Sequence, residues 1–322
     1  MTSNNKTITI FGGTGFLGRH IVWALAKTGA TIRIATRSPQ HAYFLRPAGT
    51  VGQVVPVFCN IRDDASVAAV LKGATHAINL VGILNQSGKN TFYRLHVEAA
   101  ERIAKACRAN DVALLVHVSA LSASLDAPSK YSQSKAQGEN KVIHTFPRSV
   151  ILRPSVIFGP EDTFFNMFAS MARFSPCLPL IGGGHTKFQP VYVGDVAKAV
   201  RNILEDREAE KYYGQIYEFG GPKTYTFREL MEAMKACTQQ DVFLASIPVP
   251  VAKAMGMVGG LLPGKPLTVD NVRTLAKDSI IQPGTPGLKE LGVEPTGLEA
   301  ILPTYLSHYR PGGKFAQKRQ AS

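Results

Sequence analysis

Short aliphatic runs alternate with longer segments of helical periodicity through the first half of this chain. Thr7 to Phe11 is a β-branched run that ends at a glycine and predicts the first strand. Phe16 to Thr28 carries apolar residues at helical spacing and stops at Gly29, a C-terminal cap signal. The same alternation predicts strands over Ala30 to Thr36, Val54 to Phe58, His76 to Val81, Leu114 to Ser119 and Ser149 to Leu152. Between them it predicts helices over Ala65 to Leu71, Phe92 to Asn110 and Ser129 to Thr145. Strands and helices that alternate at this spacing form parallel β-α-β units, so the predicted fold class is α/β, a Rossmann-type doubly wound parallel sheet. Sheets of this kind bind ligands at the carboxyl ends of their strands.

Beyond about residue 160 the alternation loosens. Phe164 to Phe174, Gly194 to Glu205 and Thr226 to Cys237 read as helices, Gln215 to Phe219 and Val242 to Ile247 as strands, and Gly182-Gly183-Gly184 as a loop. The predicted organisation is a dinucleotide-binding core over 1–160 and a smaller, mixed C-terminal lobe over 161–309, with segments returning to the sheet. A basic, mobile tail over 310–322 carries Arg310, Lys314, Lys318 and Arg319. Phe243 to Gly264 holds one charge, Lys253, but its prolines and glycines break it as a membrane span. A helix from Pro250 to Leu262 would place Val251, Ala254, Met255, Val258 and Leu262 on one face. That face either packs on the core or docks on a membrane surface or partner.

The 322 residues are 45% hydrophobic with a mean hydropathy near zero, which predicts a soluble globular protein. The polar opening Met1 to Lys6 predicts no signal peptide. The four cysteines lie far apart without metal-ligand spacing and read as reduced thiols, and no metal site is expected. The net charge of +13 is uneven: residues 1–150 hold 17 Lys and Arg against 7 Asp and Glu, residues 151–322 hold 19 against 16. A phosphate-rich ligand, anionic headgroups or an acidic partner would be drawn to the first half. Without a recognised motif or a basic run interleaved with aromatics, nucleic acid is not expected.

Two motifs carry the chemistry. Gly12-Gly13-Thr14-Gly15-Phe16-Leu17-Gly18 sits between a strand and a helix. Gly12 permits the turn, Gly15 admits the pyrophosphate, Gly18 lets helix and strand pack closely, and the helix-start amides face the phosphates. The end of the second strand reads Ala35-Thr36-Arg37-Ser38 and lacks the acidic residue that bonds the ribose hydroxyls of NAD. Arg37 and Ser38 suit a 2′-phosphate, with Arg33 as a second candidate, so NADPH is favoured over NAD. Asn60-Ile61 is placed at the adenine, and Val81-Gly82 beneath the riboses. Tyr131 and Lys135 stand four apart on one helix face. The ammonium would lower the tyrosine pKa, and the tyrosine would exchange a proton with substrate oxygen held by Ser119, or by Ser122 in the other register. The same pair serves equally to hold the cofactor ribose without turnover.

These motifs, together with Leu152-Arg153-Pro154-Ser155-Val156-Ile157-Phe158-Gly159-Pro160, resemble the extended and atypical short-chain dehydrogenases/reductases and their nucleotide-sugar epimerase and dehydratase kin. The resemblance implies that Pro154 and Val156 border the nicotinamide. The runs from Phe158 to Asn166, Gln189 to Val196, Gly220 to Pro222 and Leu291 to Pro295, with Ile301 to Leu306, resemble more closely the NADPH-binding accessory subunits of respiratory complex I. That implies a tightly held NADPH with a structural or regulatory role. It implies complex I partners where the hydrophilic arm meets the membrane, with membrane-surface contact through Pro250–Leu262. The place it implies is peripheral: the cytoplasmic face of a bacterial inner membrane, or the matrix side in a mitochondrion. The alternative is a free NADP-dependent reductase or epimerase/dehydratase-like enzyme using Tyr131 and Lys135.

Overall fold

Seven parallel strands form the sheet of the first of two compact units in a computed structural model, which describes residues 6–260 and 267–313. This unit takes the chain up to Pro154, with Val193–Phe219 and Ile281–Glu294. Its strands are β1 (Thr7–Phe11), β2 (Thr31–Thr36), β3 (Val54–Phe58), β4 (His76–Asn79), β5 (Leu114–Val118), β6 (Ser149–Pro154) and a seventh, Ile216–Phe219. Across the sheet the order is seventh, β6, β5, β4, β1, β2, β3, every neighbouring pair parallel. The order reverses between β1 and β4, and ligands bind at such a switch point. Phe11, the last residue of β1, pairs with Ala35 and Asn79, so the Gly12–Gly15 loop emerges there.

The helices are α1 (Phe16–Ala26), α2 (Asp64–Leu71), α3 (Ala99–Ala109) and α4 (Lys130–Thr145). Phe11, Ala35, Ala77, Leu115 and Ile151 on one sheet face pack with Val67 and Val70 of α2, Ile103 and Cys107 of α3 and Val142 of α4. The alternating residues Ile10, Ile34 and Ile78 are also buried, which explains why these strands read as continuous apolar runs. Two side chains start helices where the pattern placed them: Asp63 accepts the Ser66 amide at α2, and Ser129 accepts the Ser132 amide at α4.

The second unit comprises Ser155–Tyr192, Gly220–Ile280 and the described residues from Pro295 onward. Its core is aromatic, with Phe158, Phe165, Phe168, Phe188, Phe227 and Tyr305 packed among Leu178, Met231 and Leu302. Buried Asp162 accepts the amides of Phe165 and Asn166 at the start of helix Phe164–Phe174, and also the Tyr305 hydroxyl.

Several expectations are corrected. Phe92 to Asn110 is not one α-helix: Tyr93–Glu98 is a π-turn, and α3 begins only at Ala99. A Cβ on Gly138 of α4 would lie 2.1 Å from the His96 carbonyl, so α4 and this turn approach at backbone distance. Pro39–Ala48 forms a 3₁₀ segment that buries only Ala42 and Leu45, too few apolar positions to show a period. Cys177–Ile181 is a strand paired with Phe243–Ile247; Pro179 within it masked the pattern. The helix expected over 250–262 runs Val249–Gly259, and Leu262 lies outside the described residues, as do Lys314, Lys318 and Arg319. Its face of Val251, Ala254, Met255 and Val258 is exposed, not packed. Ala252, Gly256 and Gly259 are buried instead, because a Cβ on Gly256 would stand 2.8 Å from the Val269 nitrogen. Among the described residues no helix is long and apolar enough to cross a membrane.

Candidate functional site

Gly12 holds a positive φ of 80°, and its carbonyl accepts the Gly15 amide at 3.1 Å, closing the turn after β1. A Cβ on Gly18 would stand 2.5 Å from the Gly12 oxygen and 2.6 Å from Gly13 Cα, so only glycine lets α1 start this close to the strand. The amides of Phe16, Leu17 and Gly18 open α1 directly after Gly15, the arrangement that receives phosphate. A cleft of about 300 Å³ lies over this turn, lined by Gly12, Thr14 and Gly15. It is continued by Ala35 to Arg37 at the end of β2, Cys59 to Arg62 after β3 and Leu80 to Ile83 after β4.

Of the expected nucleotide contacts, Gly12, Thr14, Gly15, Arg37, Asn60, Ile61, Val81 and Gly82 line one cleft. Ser38 does not; it stands at the N-terminus of the 3₁₀ segment. Arg33 is corrected as a phosphate candidate, because its guanidinium donates to the carbonyls of Val70 and Lys72 at the end of α2. Tyr131, Lys135, Ser119 and Pro154 belong to the same unit without lining the cleft, and Val156 belongs to the second unit.

Below the β4 loop lies a buried polar cluster. Asn79 accepts the Val81 amide through Oδ1 at 3.0 Å, so its Nδ2 donates to His117 Nδ1, also at 3.0 Å. His96 Nε2 accepts the Ile83 amide at 3.0 Å, which leaves the proton on Nδ1 to donate to Ser134 Oγ at 2.8 Å. The Ser134 hydroxyl donates in turn to the Tyr131 carbonyl. Burial, with Lys135 nearby, drops His96 to about 3 and His117 well below its usual range, so both rings are neutral. Sequence reasoning missed both histidines. Each meets its partner 38 positions away, so no local spacing marks them.

Tyr131 packs edge-on to the Phe92 and His96 rings, with centroids at 5.9 and 5.6 Å. Its pKa is not lowered as expected; burial pushes it up to about 12. Lys135 donates to the Val118 carbonyl at 2.8 Å, and burial lowers it to about 8 against the opposing pull of Glu139. Glu139 is itself gripped by Arg153 through three hydrogen bonds of 2.6 to 3.2 Å, and Glu218 lies 3.7 Å from the other side of that guanidinium. Ser122 accepts from Ser132, whereas the buried Ser119 hydroxyl has no hydrogen-bond partner among the described residues.

The sequence matches the NAD dependent epimerase/dehydratase family over residues 8–220. It is 34% identical over 319 residues to NADH dehydrogenase (ubiquinone) 1 alpha subcomplex subunit 9, mitochondrial, of Arabidopsis thaliana, covering 95% of this chain and 78% of the relative. It is 31% identical over 310 residues to the NADH-ubiquinone oxidoreductase 40 kDa subunit, mitochondrial, of Neurospora crassa, covering 96% and 81%. The NADPH-dependent quinone oxidoreductase QOR2 of Escherichia coli, solved with NADPH, superposes with a TM-score of 0.72 at 19% identity, covering 94% of this chain and 99% of that one, which speaks for the fold alone. The chain belongs to the NAD dependent epimerase/dehydratase family, in the branch that holds these mitochondrial NADH dehydrogenase subunits.

Proposed function

We propose that this protein is an NADP(H)-binding accessory subunit of respiratory complex I that holds its nucleotide with little or no turnover. The observation that carries the reading is the glycine cradle with Arg37 at its edge, in a chain aligned almost end to end with NADH dehydrogenase subunits. The cradle fits a dinucleotide: Gly18 has no room for a Cβ, and the α1 amides stand beside it. Arg37 would take the 2′-phosphate, and no carboxylate ends β2 to repel it. When bound, the group would supply redox capacity; Tyr131 and Lys135 would hold its ribose, and Pro154 would border its nicotinamide.

The exposed apolar face of helix Val249–Gly259 supports a peripheral place at the membrane junction, on the matrix side or the equivalent bacterial face. The test is a pull-down of the tagged chain from membranes in mild detergent, run on a native gel stained for NADH dehydrogenase activity. Co-migration is expected, and Tyr131→Phe should leave it intact.

The second reading, a free NADP-dependent reductase or epimerase/dehydratase-like enzyme, draws on Tyr131, Lys135 and the unengaged Ser119 hydroxyl. Migration apart from the complex, with turnover abolished by Tyr131→Phe, would establish that reading.

A further inference from the structure

The first acidic residue of the chain is Asp63; the 62 residues before it carry seven Lys and Arg and no Asp or Glu. Within that stretch, α1 and the Pro39–Ala48 segment leave aromatic side chains half exposed: Trp23 at 48%, Tyr43 at 45% and Phe44 at 49%. Arg19, Trp23 and the C-cap residue Lys27 recur every fourth residue, so they lie along one side of α1. Arg19 lies over the Phe44 ring at 5.3 Å and joins the two elements, and Arg46 lies over Tyr43 at 4.0 Å. None of Trp23, Phe44 and Arg46 lines the nucleotide cleft.

We infer that this face is a docking surface for an acidic segment of a partner protein. Aromatic and arginine side chains are the types enriched where protein interfaces concentrate their binding energy. Arg46 is exposed, and a guanidinium takes a carboxylate with two hydrogen bonds. A long stretch without any acid steers a negatively charged partner toward it. The assignment rests on the accessory-subunit reading only in expecting a protein as the occupant.

The test places the photo-cross-linker p-benzoylphenylalanine at position 44 of the full chain in cells. A second chain carries it at position 140, an exposed site on α4. Adducts are identified by mass spectrometry. The expected result is an adduct at 44, absent at 140, to an Asp- and Glu-rich protein segment. Arg46→Glu should reduce its yield at least about tenfold, because it brings like charges together. That variant should keep the nucleotide affinity and melting temperature of the parent, which separates lost docking from lost folding. No adduct at 44 above position 140 overturns the inference. So does an adduct to lipid, RNA or a second copy of this chain, or one that Arg46→Glu leaves unchanged. An Arg46-sensitive adduct to an acidic protein outside the respiratory complex upholds the docking face and counts against the complex I assignment.

Discussion

Replacing Lys135 with methionine should stabilise the protein at neutral pH, and the gain should disappear as the solution becomes alkaline. Lys135 is 4% exposed and its pKa falls from 10.5 to about 8, chiefly because burial disfavours the ammonium. A difference of that size corresponds to about 3 kcal/mol between the two protonation states. Below pH 8 both folded and unfolded chains carry the proton, so the full penalty is present and constant. Between pH 8 and 10.5 the folded chain has released it and the unfolded chain has not, so stability rises with pH. Above 10.5 the penalty is gone. Methionine removes the penalty but leaves the Val118 carbonyl without its donor, a loss of about 1 kcal/mol. The variant should therefore be more stable by about 2 kcal/mol at pH 7 and less stable by about 1 kcal/mol above pH 10.5. Urea unfolding of both proteins at steps from pH 7 to 10.5 measures the difference, and the subtraction removes what other groups contribute. A difference that stays flat from pH 7.5 to 10 would refute the burial argument for Lys135.

Gly18→Ala pushes a methyl into the Gly12 and Gly13 backbone and should cost about 1–3 kcal/mol of stability, with loss of nucleotide binding measurable by NADPH fluorescence. If Arg37 takes the 2′-phosphate as proposed, Arg37→Asp should weaken NADPH binding relative to NADH on the order of tenfold or more, for one charge-assisted contact, read from paired binding titrations. Tyr305→Phe takes one donor from buried Asp162, which keeps the Phe165 and Asn166 amides, and should cost about 1.5–3 kcal/mol in urea unfolding without changing nucleotide affinity.

The glycine cradle was legible because a strand, a turn and a helix in succession require glycine wherever backbone meets backbone, and that requirement is local. The strand ends were legible for the same reason: in a parallel sheet the residues just past each strand converge, so Arg37, Asn60, Ile61, Val81 and Gly82 reach one cleft. In sequence Arg33 stands as a second candidate behind Arg37. Only the position of α2 against β2 decides that Arg33 is consumed by the Val70 and Lys72 carbonyls. The π-turn at Tyr93–Glu98 was hidden because the spacing of Phe92, Leu95 and Ala99 across it still reads as helical. Glu139, Arg153 and Glu218 come from three separate elements, and a charge network of that kind has no signature until the elements are adjacent.

On the reading proposed above, Tyr131 and Lys135 hold a nucleotide instead of turning one over. A general acid works best with a pKa near the operating pH, and Tyr131 at about 12 is far from it. Its backbone carbonyl is pinned by Ser134, and its ring is walled by Phe92 and His96. Lys135 spends a donor on the Val118 carbonyl and leans on Glu139, which Arg153 holds in place together with Glu218. Glu218 also accepts the Gln282 amide at 2.7 Å, so this charge chain runs from the Tyr131 helix to the Ile281–Glu294 segment that rejoins the first unit. A ligand bound only by the folded state stabilises it by mass action, about 2.7 kcal/mol at one hundred times its Kd. A resident dinucleotide would therefore fasten the loops after β1 to β4 into one body and, through the β4 loop and His96, the Tyr131 helix as well. Stripping the nucleotide from the purified chain should lower its melting temperature even where Tyr131→Phe has removed every proton-transfer role, and an unchanged melting temperature would remove the case for a structural cofactor.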